Sequence, residues 1–390
     1  MNKFMAPSGK PYMIYGENHI DPKALNQFFE AMTCGFVVQG AVMPDAHFGY
    51  SLPIGGVVAT SNTVVPAWVG YDIGCGMFAM KMDFDAHQVR ANRDQIFDEI
   101  YESVPVGFKH NKAPVGWGGL ASLDCTKWFF DMYRNRGGDK QLGTLGGGNH
   151  FIEIGVGNDE HVWIIIHSGS RGIGHTTATE YMKIASGTKK AKEGHFGLVA
   201  NSDVGKDYIK DMNFCLSFAL KNRQVIADRV WSVINNVLEC EGNALSLYPV
   251  RTKFYINRTH NHAVPKVNED GTNVWIHRKG ATHAEKGMLG VIPGNMRDGS
   301  FVVRGKGCAA SLNSSSHGAG RVMSRRQATD TIDFDEWKYD MLQSDIKAKI
   351  ERSTIDEAPE AYKPINQVME DQKDLVEVIT EVKPLINIKG

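Results

Sequence analysis

Short apolar runs that stop at glycine-rich turns dominate this chain and limit what it can become. Ile54-Gly-Gly-Val-Val58, Met77-Phe-Ala-Met-Lys-Met82, Phe151-Ile-Glu-Ile154, Val162-Trp-Ile-Ile-Ile-His167, Asn273-Val-Trp-Ile-His277 and Phe301-Val-Val-Arg304 are rich in β-branched or aromatic residues. They read as strands. Helix-like apolar spacing is confined to fewer, longer stretches: Tyr208 to Glu239, which has no internal Pro or Gly, Phe334 to Glu351, and Pro364 to Glu381. Strands and helices do not alternate regularly, so the pattern predicts an α+β fold over a doubly wound sheet. The most loop-like interior stretch is Ser186 to His195. Motifs lie on both sides of it, which argues for one catalytic domain over residues 1–390.

The glycine turns carry the chemistry. Gly70-Tyr-Asp-Ile-Gly-Cys-Gly76, Gly146-Gly-Gly-Asn-His150, His167-Ser-Gly-Ser-Arg-Gly172, Thr259-His-Asn-His262 and Ser314-Ser-Ser-His-Gly-Ala-Gly-Arg321 each put His, Cys or Asp where backbone turns sharply. A lone histidine is usually a hydrogen-bonded core or surface group. Five such contexts together point to one metal and phosphate site built from Asp72, Cys75, His150, His167, His260 and His317. Asp72 and Cys75, three residues apart on one turn, can reach one ion, and a thiolate can bridge two. Neutral imidazoles complete the donor set. Ligand softness favours zinc, and the set also accepts manganese or cobalt.

His317 stands apart. Val322 to Ala328 looks helical, which would set His317 near a helix N-terminus suited to phosphate, with Arg321 one turn on to clamp phosphoryl oxygens. Asp45, on an expected turn in Met43-Pro-Asp-Ala-His47, is a candidate to act on a hydroxyl nucleophile. The Gly143–Gly148 run lacks dinucleotide-fold spacing and precedes a strand, so that reading is rejected.

Six widely spaced cysteines, with no C-x-x-C, argue against a disulfide framework. A net charge of −1 argues against coating nucleic acid by bulk charge, and leaves a local groove built from Arg278-Lys279, Arg304, Lys306, Arg321 and Arg325-Arg326. No apolar run is long enough to span a membrane, and residues 1–10 lack a secretory apolar core. A cytoplasmic protein with no membrane partner is expected.

Taken in order, Met43-Pro-Asp-Ala-His47, Gly70-Tyr-Asp-Ile-Gly-Cys-Gly76, Gly148-Asn-His-Phe151, His167-Ser-Gly-Ser-Arg-Gly172, Arg278-Lys-Gly-Ala281, Ile292-Pro-Gly294 and Ser316-His-Gly-Ala-Gly-Arg321 resemble the RtcB family of RNA ligases. The resemblance runs from about Val42 to the end of the chain. It implies a fold of mixed β-sheets with peripheral helices. The implied activity joins RNA 3′-phosphate or 2′,3′-cyclic phosphate ends to 5′-hydroxyl ends, with GTP and two manganese(II) ions in place of zinc. Cys75 would bridge the ions, Asp72 and His150 completing one and His167 and His260 the other. His317 would carry GMP, pass it to the RNA 3′-phosphate, and so prepare that phosphate for attack by the 5′-hydroxyl. Asn149, Glu153, Arg321, Tyr362 and Lys389 match guanylate-contacting positions, Tyr362 by stacking and Glu153 and Lys389 at the base edge. An archease-type activator is a candidate partner. Two departures bear on nucleotide and RNA-end contacts: Pro293-Gly-Asn-Met-Arg297 replaces the family's Pro-Gly-Ser-Met-Gly, and Gly280-Ala-Thr-His283 replaces Gly-Ala-Thr-Arg. The same metal ligands without a covalent carrier would suit a phosphoesterase. A non-catalytic RNA-binding scaffold would be expected to lack site residues, and none is missing.

Overall fold

The strand-like runs assemble into two large sheets. The computed structural model describes residues 4–5, 8–238, 255–267 and 271–390. One sheet orders its six strands as Phe4–Met5, Pro11–Ile14, Val37–His47, Ile54–Ser61, Asn273–Lys279 and Asn261–Val267. The other runs Tyr255–Thr259, Gly76–Met82, Val162–Ser168, Phe151–Gly157, Val376–Lys389, Ser300–Gly305 and Leu289–Pro293, with Lys347–Ala348 paired parallel to the long C-terminal strand. The mixture of sheets and helices is the α+β architecture expected from the sequence.

Alternation along the second sheet separates two environments. Phe78, Met80, Ile152, Ile154, Ile164 and Ile166 point to one face and bury against Ile226, Ala227, Val230 and Ile234 of the 35-residue helix Asp203–Val237. Each fully buried aliphatic side chain there stabilises the fold by about 1.5–3 kcal/mol. Ser202 caps the helix by accepting from the Gly205 N–H at 3.1 Å. Glu239, the expected end of this helix, lies outside the described residues, as does Cys240. The opposite sheet face carries Met77, Ala79, Trp163 and Ile165. They pack with Ile256 and Val291 from the two outermost strands, so the sheet curls on itself. At its end nearest the first sheet, this inner face presents His167, Phe151 and Glu153.

Two expected helices stop early. Phe334–Gln343 is helical, but Ser344 ends it and Asp345 adopts a left-handed φ of 57°. Ile365–Asp371 is helical, whereas Val376–Lys389 is a 14-residue strand. Val376, Val378, Ile379 and Val382 crowd a helix turn and suit a pleat. The neighbouring strands Phe151–Gly157 and Ser300–Gly305 supply the hydrogen bonds. Met43–His47 is the irregular end of a strand rather than a turn. The helix after His317 begins only at Arg325, capped by Ser324, and is seven residues long. His317 therefore lies well before any helix start.

Several of the cations named for the expected basic groove are engaged inside the fold or in ion pairs. Arg278 is buried, donating to Ser314 Oγ at 2.9 Å and to the Leu312 carbonyl at 3.1 Å. Arg304 pairs with Glu377, and Arg325 pairs with Asp356 and Glu357.

Candidate active site

The turn Asp72–Cys75 follows the short buried helix Pro66–Val69 and leads into the strand Gly76–Met82. Gly76 is required there, because a Cβ would meet the Arg258 carbonyl at 2.0 Å. His167 lies opposite Met77 and Phe151, and Cys75 is two residues before Met77. The period-two rule therefore places Cys75 and His167 on the same face. His150 immediately precedes its strand. His260 is the single residue between an edge strand of one sheet, Tyr255–Thr259, and an edge strand of the other, Asn261–Val267. Backbone bonds fasten this crossover to the Cys75 turn: His260 N donates to Cys75 O at 2.8 Å, and Gly74 N to Asn261 O at 2.8 Å.

These five side chains converge as two overlapping triplets, Asp72–Cys75–His150 and Cys75–His167–His260, each with its donor atoms within 4.8 Å of one another. Cys75 Sγ is 3.3 Å from His150 Nε2 and 3.2 Å from His167 Nε2. His150 Nε2 is 3.0 Å from Asp72 Oδ2, and His167 Nε2 is 3.3 Å from His260 Nε2. Donor bonds of about 2.0–2.3 Å around a tetrahedral ion would set neighbouring donors about 3.4 Å apart. The donor set therefore fits a cation in each triplet.

The surroundings favour ligand-ready protonation states. Leu145 O lies 2.9 Å from His150 Nδ1, and Asn149 O lies 3.1 Å from His167 Nδ1. Each carbonyl accepts the Nδ1 proton and so aims Nε2 at the metal position. Burial, then the neighbouring imidazoles, hold His167 and His260 well below the ordinary histidine range. Burial alone would raise Asp72, but the His150 ring beside it brings its carboxyl down to about 2. Burial, then Asp72, push the Cys75 thiol well above its ordinary value. A bound cation reverses this, since a coordinated thiol is deprotonated.

Beside this cluster a cleft of about 640 Å³, including its open mouth, is lined by Asn149, Phe151, His167, Asn295, Met296, His317, Arg321, Tyr362, Asn387 and Lys389 among others. The His317 ring lies 4.7 Å from the His260 ring. Its Nδ1 donates to Asp45 Oδ2 at 2.6 Å, and the same oxygen accepts from the His317 and Gly318 backbone N–H groups at 3.0 and 3.3 Å. Asp45 is fully buried. Burial opposes its charge, but the His317 ring holds its carboxyl below the usual range. Gly320, with φ 76°, lets the following loop pass over Asp45, where a Cβ would lie 2.0 Å from Asp45 O. Asp45 thus sits behind His317, with one carboxylate oxygen engaged by His317 and Gly318.

Lys389, Arg321 and Tyr362 are organised by Glu357, which the sequence reading did not single out. The Tyr362 hydroxyl donates to its Oε2 at 2.5 Å, Lys389 Nζ lies 3.1 Å from the same oxygen, and Arg321 and Arg325 reach Oε1 at 3.2 and 2.8 Å. Burial works against the Glu357 charge, but Lys389 and Arg325 hold its carboxyl at about 2. The Arg321 guanidinium lies 5.0 Å from the Tyr362 ring centre. Glu153 lies behind the cleft, where burial pushes it up to about 7 and its Oε1 has no partner.

Asn222 and Arg223 were also missed. They form a polar notch on the long helix. Arg223 donates to Gly74 O at 2.9 Å and Ser168 O at 2.7 Å, fixing the backbone beside Cys75 and His167. Asn222 holds Gly143 N and Gly169 O. A charged residue inside an otherwise apolar helical face was the available signal. Of the departures, Asn295 lines the cleft and accepts from the backbone of Arg297 and Asp298. Arg297 pairs with Asp298 and Glu360. His283 stacks on His262 at 4.8 Å and bonds Glu285.

Known proteins share this chain's sequence over most of its length. A family model described as tRNA-splicing ligase RtcB matches residues 27–129 and 126–390. The RNA-splicing ligase RtcB of Escherichia coli K12 is 34% identical over 374 residues, spanning 90% of either chain. The tRNA-splicing ligases RtcB of Pyrobaculum aerophilum and Thermococcus kodakarensis are 30% and 28% identical, covering 90% and 92% of this chain and 87% and 89% of their own. Extent and identity together place this chain in the tRNA-splicing ligase RtcB family.

Proposed function

We propose that this chain is an RNA ligase that joins 3′-phosphate or 2′,3′-cyclic phosphate ends to 5′-hydroxyl ends, using GTP, two manganese(II) ions and a guanylylated His317. The observation that carries the reading is the His317–Asp45 pair, set against a cluster with two cation-binding triplets. GTP supplies the guanylyl group, and divalent cations held by Asp72, Cys75, His150, His167 and His260 supply positive charge at phosphoryl oxygens.

The chain's own residues do the rest. An ionised Asp45 keeps the His317 proton on Nδ1, so Nε2 holds the lone pair that would attack the α-phosphorus of GTP, with the α–β bond breaking and pyrophosphate leaving. Tyr362 offers a ring face, and Lys389 and Glu153 offer polar atoms for a base edge. Asn149 and Arg321 line the same cleft. No helix among the described residues is long and apolar enough to cross a membrane. The reading includes RNA splicing or repair in the cytoplasm, with an archease-type protein as a candidate activator.

Two measurements test it. Incubation with α-labelled GTP and manganese should give an acid-labile adduct on the wild type and none on His317→Ala. Equal labelling would remove His317 as the carrier. Defined RNA ends should yield joined product only with GTP. Cyclic-phosphate opening or cleavage without joining would favour a phosphoesterase.

A further inference from the structure

Outside the cleft, an aromatic array begins at the metal cluster and runs to the surface. Tyr71 is the chain neighbour of Asp72. Its ring stacks on His175 with centroids 4.9 Å apart and 19° between planes. Tyr50 meets Tyr71 edge-on at 5.8 Å. Tyr50 is 66% exposed, a large aromatic left open to solvent. Its loop is not slack: Gln27 Nε2 donates to the Gly49 and Tyr50 carbonyls at 2.9 and 2.6 Å, and Gly49 N donates to Gln27 Oε1 at 2.9 Å. The Lys279 ammonium lies 5.7 Å from the Tyr50 ring centre.

The Ser186–His195 stretch closes over the same place. The Tyr71 hydroxyl donates to Glu193, and Trp68 Nε1 donates to His195 Nδ1 at 3.1 Å. These bonds fix Glu193 and His195 beside the array; Lys192, next to Glu193, is exposed with its ammonium 5.3 Å from the Phe196 ring centre, and Lys189 and Lys190 are exposed just before it in the same stretch. None of the three has an acidic partner among the described residues, and Glu193 is spent on Tyr71. Rings held in a fixed array beside uncompensated cations match what an unpaired nucleic-acid strand presents, bases alternating with phosphates.

We propose that Tyr50, Tyr71 and His175, with Lys189, Lys190 and Lys192, seat the single-stranded RNA whose end enters the metal cluster. The inference rests on the RNA-ligase reading and adds the path of the strand. A base stacks on the open Tyr50 ring, and the lysines take the flanking phosphates. The stretch that read as a plain loop in the sequence becomes the charged wall of this path.

The test uses the full chain and an eight-nucleotide RNA with a 3′-phosphate and 2-aminopurine near that end. Tyr50→Ala should weaken binding by about 5- to 150-fold, the range for losing one stacked base, and abolish the 2-aminopurine quenching. Tyr50→Phe should restore both. Lys189→Glu, Lys190→Glu and Lys192→Glu together should flatten the slope of log affinity against log salt by about 2, at roughly 0.7 per single-strand phosphate. Wild-type affinity, quenching and salt slope in the Ala and triple-Glu variants would overturn the proposal. So would equal losses in Tyr50→Ala and Tyr50→Phe. Labelling of wild-type protein by α-labelled GTP without RNA reads the ligase assignment separately. A labelled wild type with unaffected Tyr50 variants sinks the strand path alone.

Discussion

Asp45→Asn separates charge from geometry at the proposed nucleophile. Asp45 Oδ2 accepts from three donors, two of them the His317 and Gly318 backbone N–H groups, while Oδ1 is buried without a partner. The fixed backbone donors hold the amide oxygen of the Asn variant at the Oδ2 position. The His317 proton then stays on Nδ1 and only the charge assistance is lost, about 1–2 kcal/mol. That corresponds to a fall in guanylylation rate of roughly 5- to 30-fold. The amide nitrogen lands where Oδ1 was, leaving buried N–H groups unpaired and lowering stability by about 1–3 kcal/mol. Asp45→Ala removes the orienting bond altogether, and the loss should approach the roughly 10⁴-fold seen when a catalytic histidine is left in the wrong tautomer. Single-turnover labelling with α-labelled GTP at saturating manganese, beside thermal melts, measures both effects. Asp45→Ala labelling at the wild-type rate would refute the coupling. An Asn variant as slow as the Ala variant would show that the amide nitrogen faces His317 and that the backbone argument is wrong.

Cys75→Ala should lose both cations yet remain folded, because its thiol belongs to both triplets; two-ion occupancy by native mass spectrometry would contradict this. Glu357 titrates at about 2 when folded, below its ordinary 4.5. Its contribution, about 3 kcal/mol, is therefore present above pH 4.5 and lost as pH falls from there toward 2. Urea unfolding between pH 5 and 3 should show a steeper loss for the wild type than for Glu357→Gln, and parallel curves would rule the contribution out. Glu153, pushed up to about 7, is neutral below that pH and becomes a full acceptor above it. Guanosine should bind more tightly, by roughly three- to tenfold, on going from pH 6 to 8. Calorimetry on Glu153→Gln should show no such trend, and a wild type that is equally flat would reject the base-edge role.

Local signals carried much of the molecule. The strands around Met77, Ile164, Ile276 and Val302 were legible because β-branched runs ended at turn residues. The Asp203–Val237 helix was legible because its apolar spacing held over many turns. The convergence of Cys75, His150, His167 and His260 was legible because each sat beside a backbone break that only a close approach explains. The C-terminal strand was not, since Pro364 to Glu381 has helix-compatible spacing and only its two flanking strands decide the matter. Glu357 was invisible because a buried carboxylate and a surface one look alike until the four partners around it are known. The tie between Asp45 and His317 was invisible for a similar reason: the two lie 272 residues apart.

The one-residue passage at His260 has a consequence for assembly. A ligand donated from the hinge between two sheets reaches Cys75 and His167 only after both sheets have formed and met. Ion capture then reports completed folding, and a half-built chain stays empty. Fragments ending before Tyr255 would retain four donors but not the fifth, so cation uptake by the second triplet during refolding should trail the growth of sheet signal.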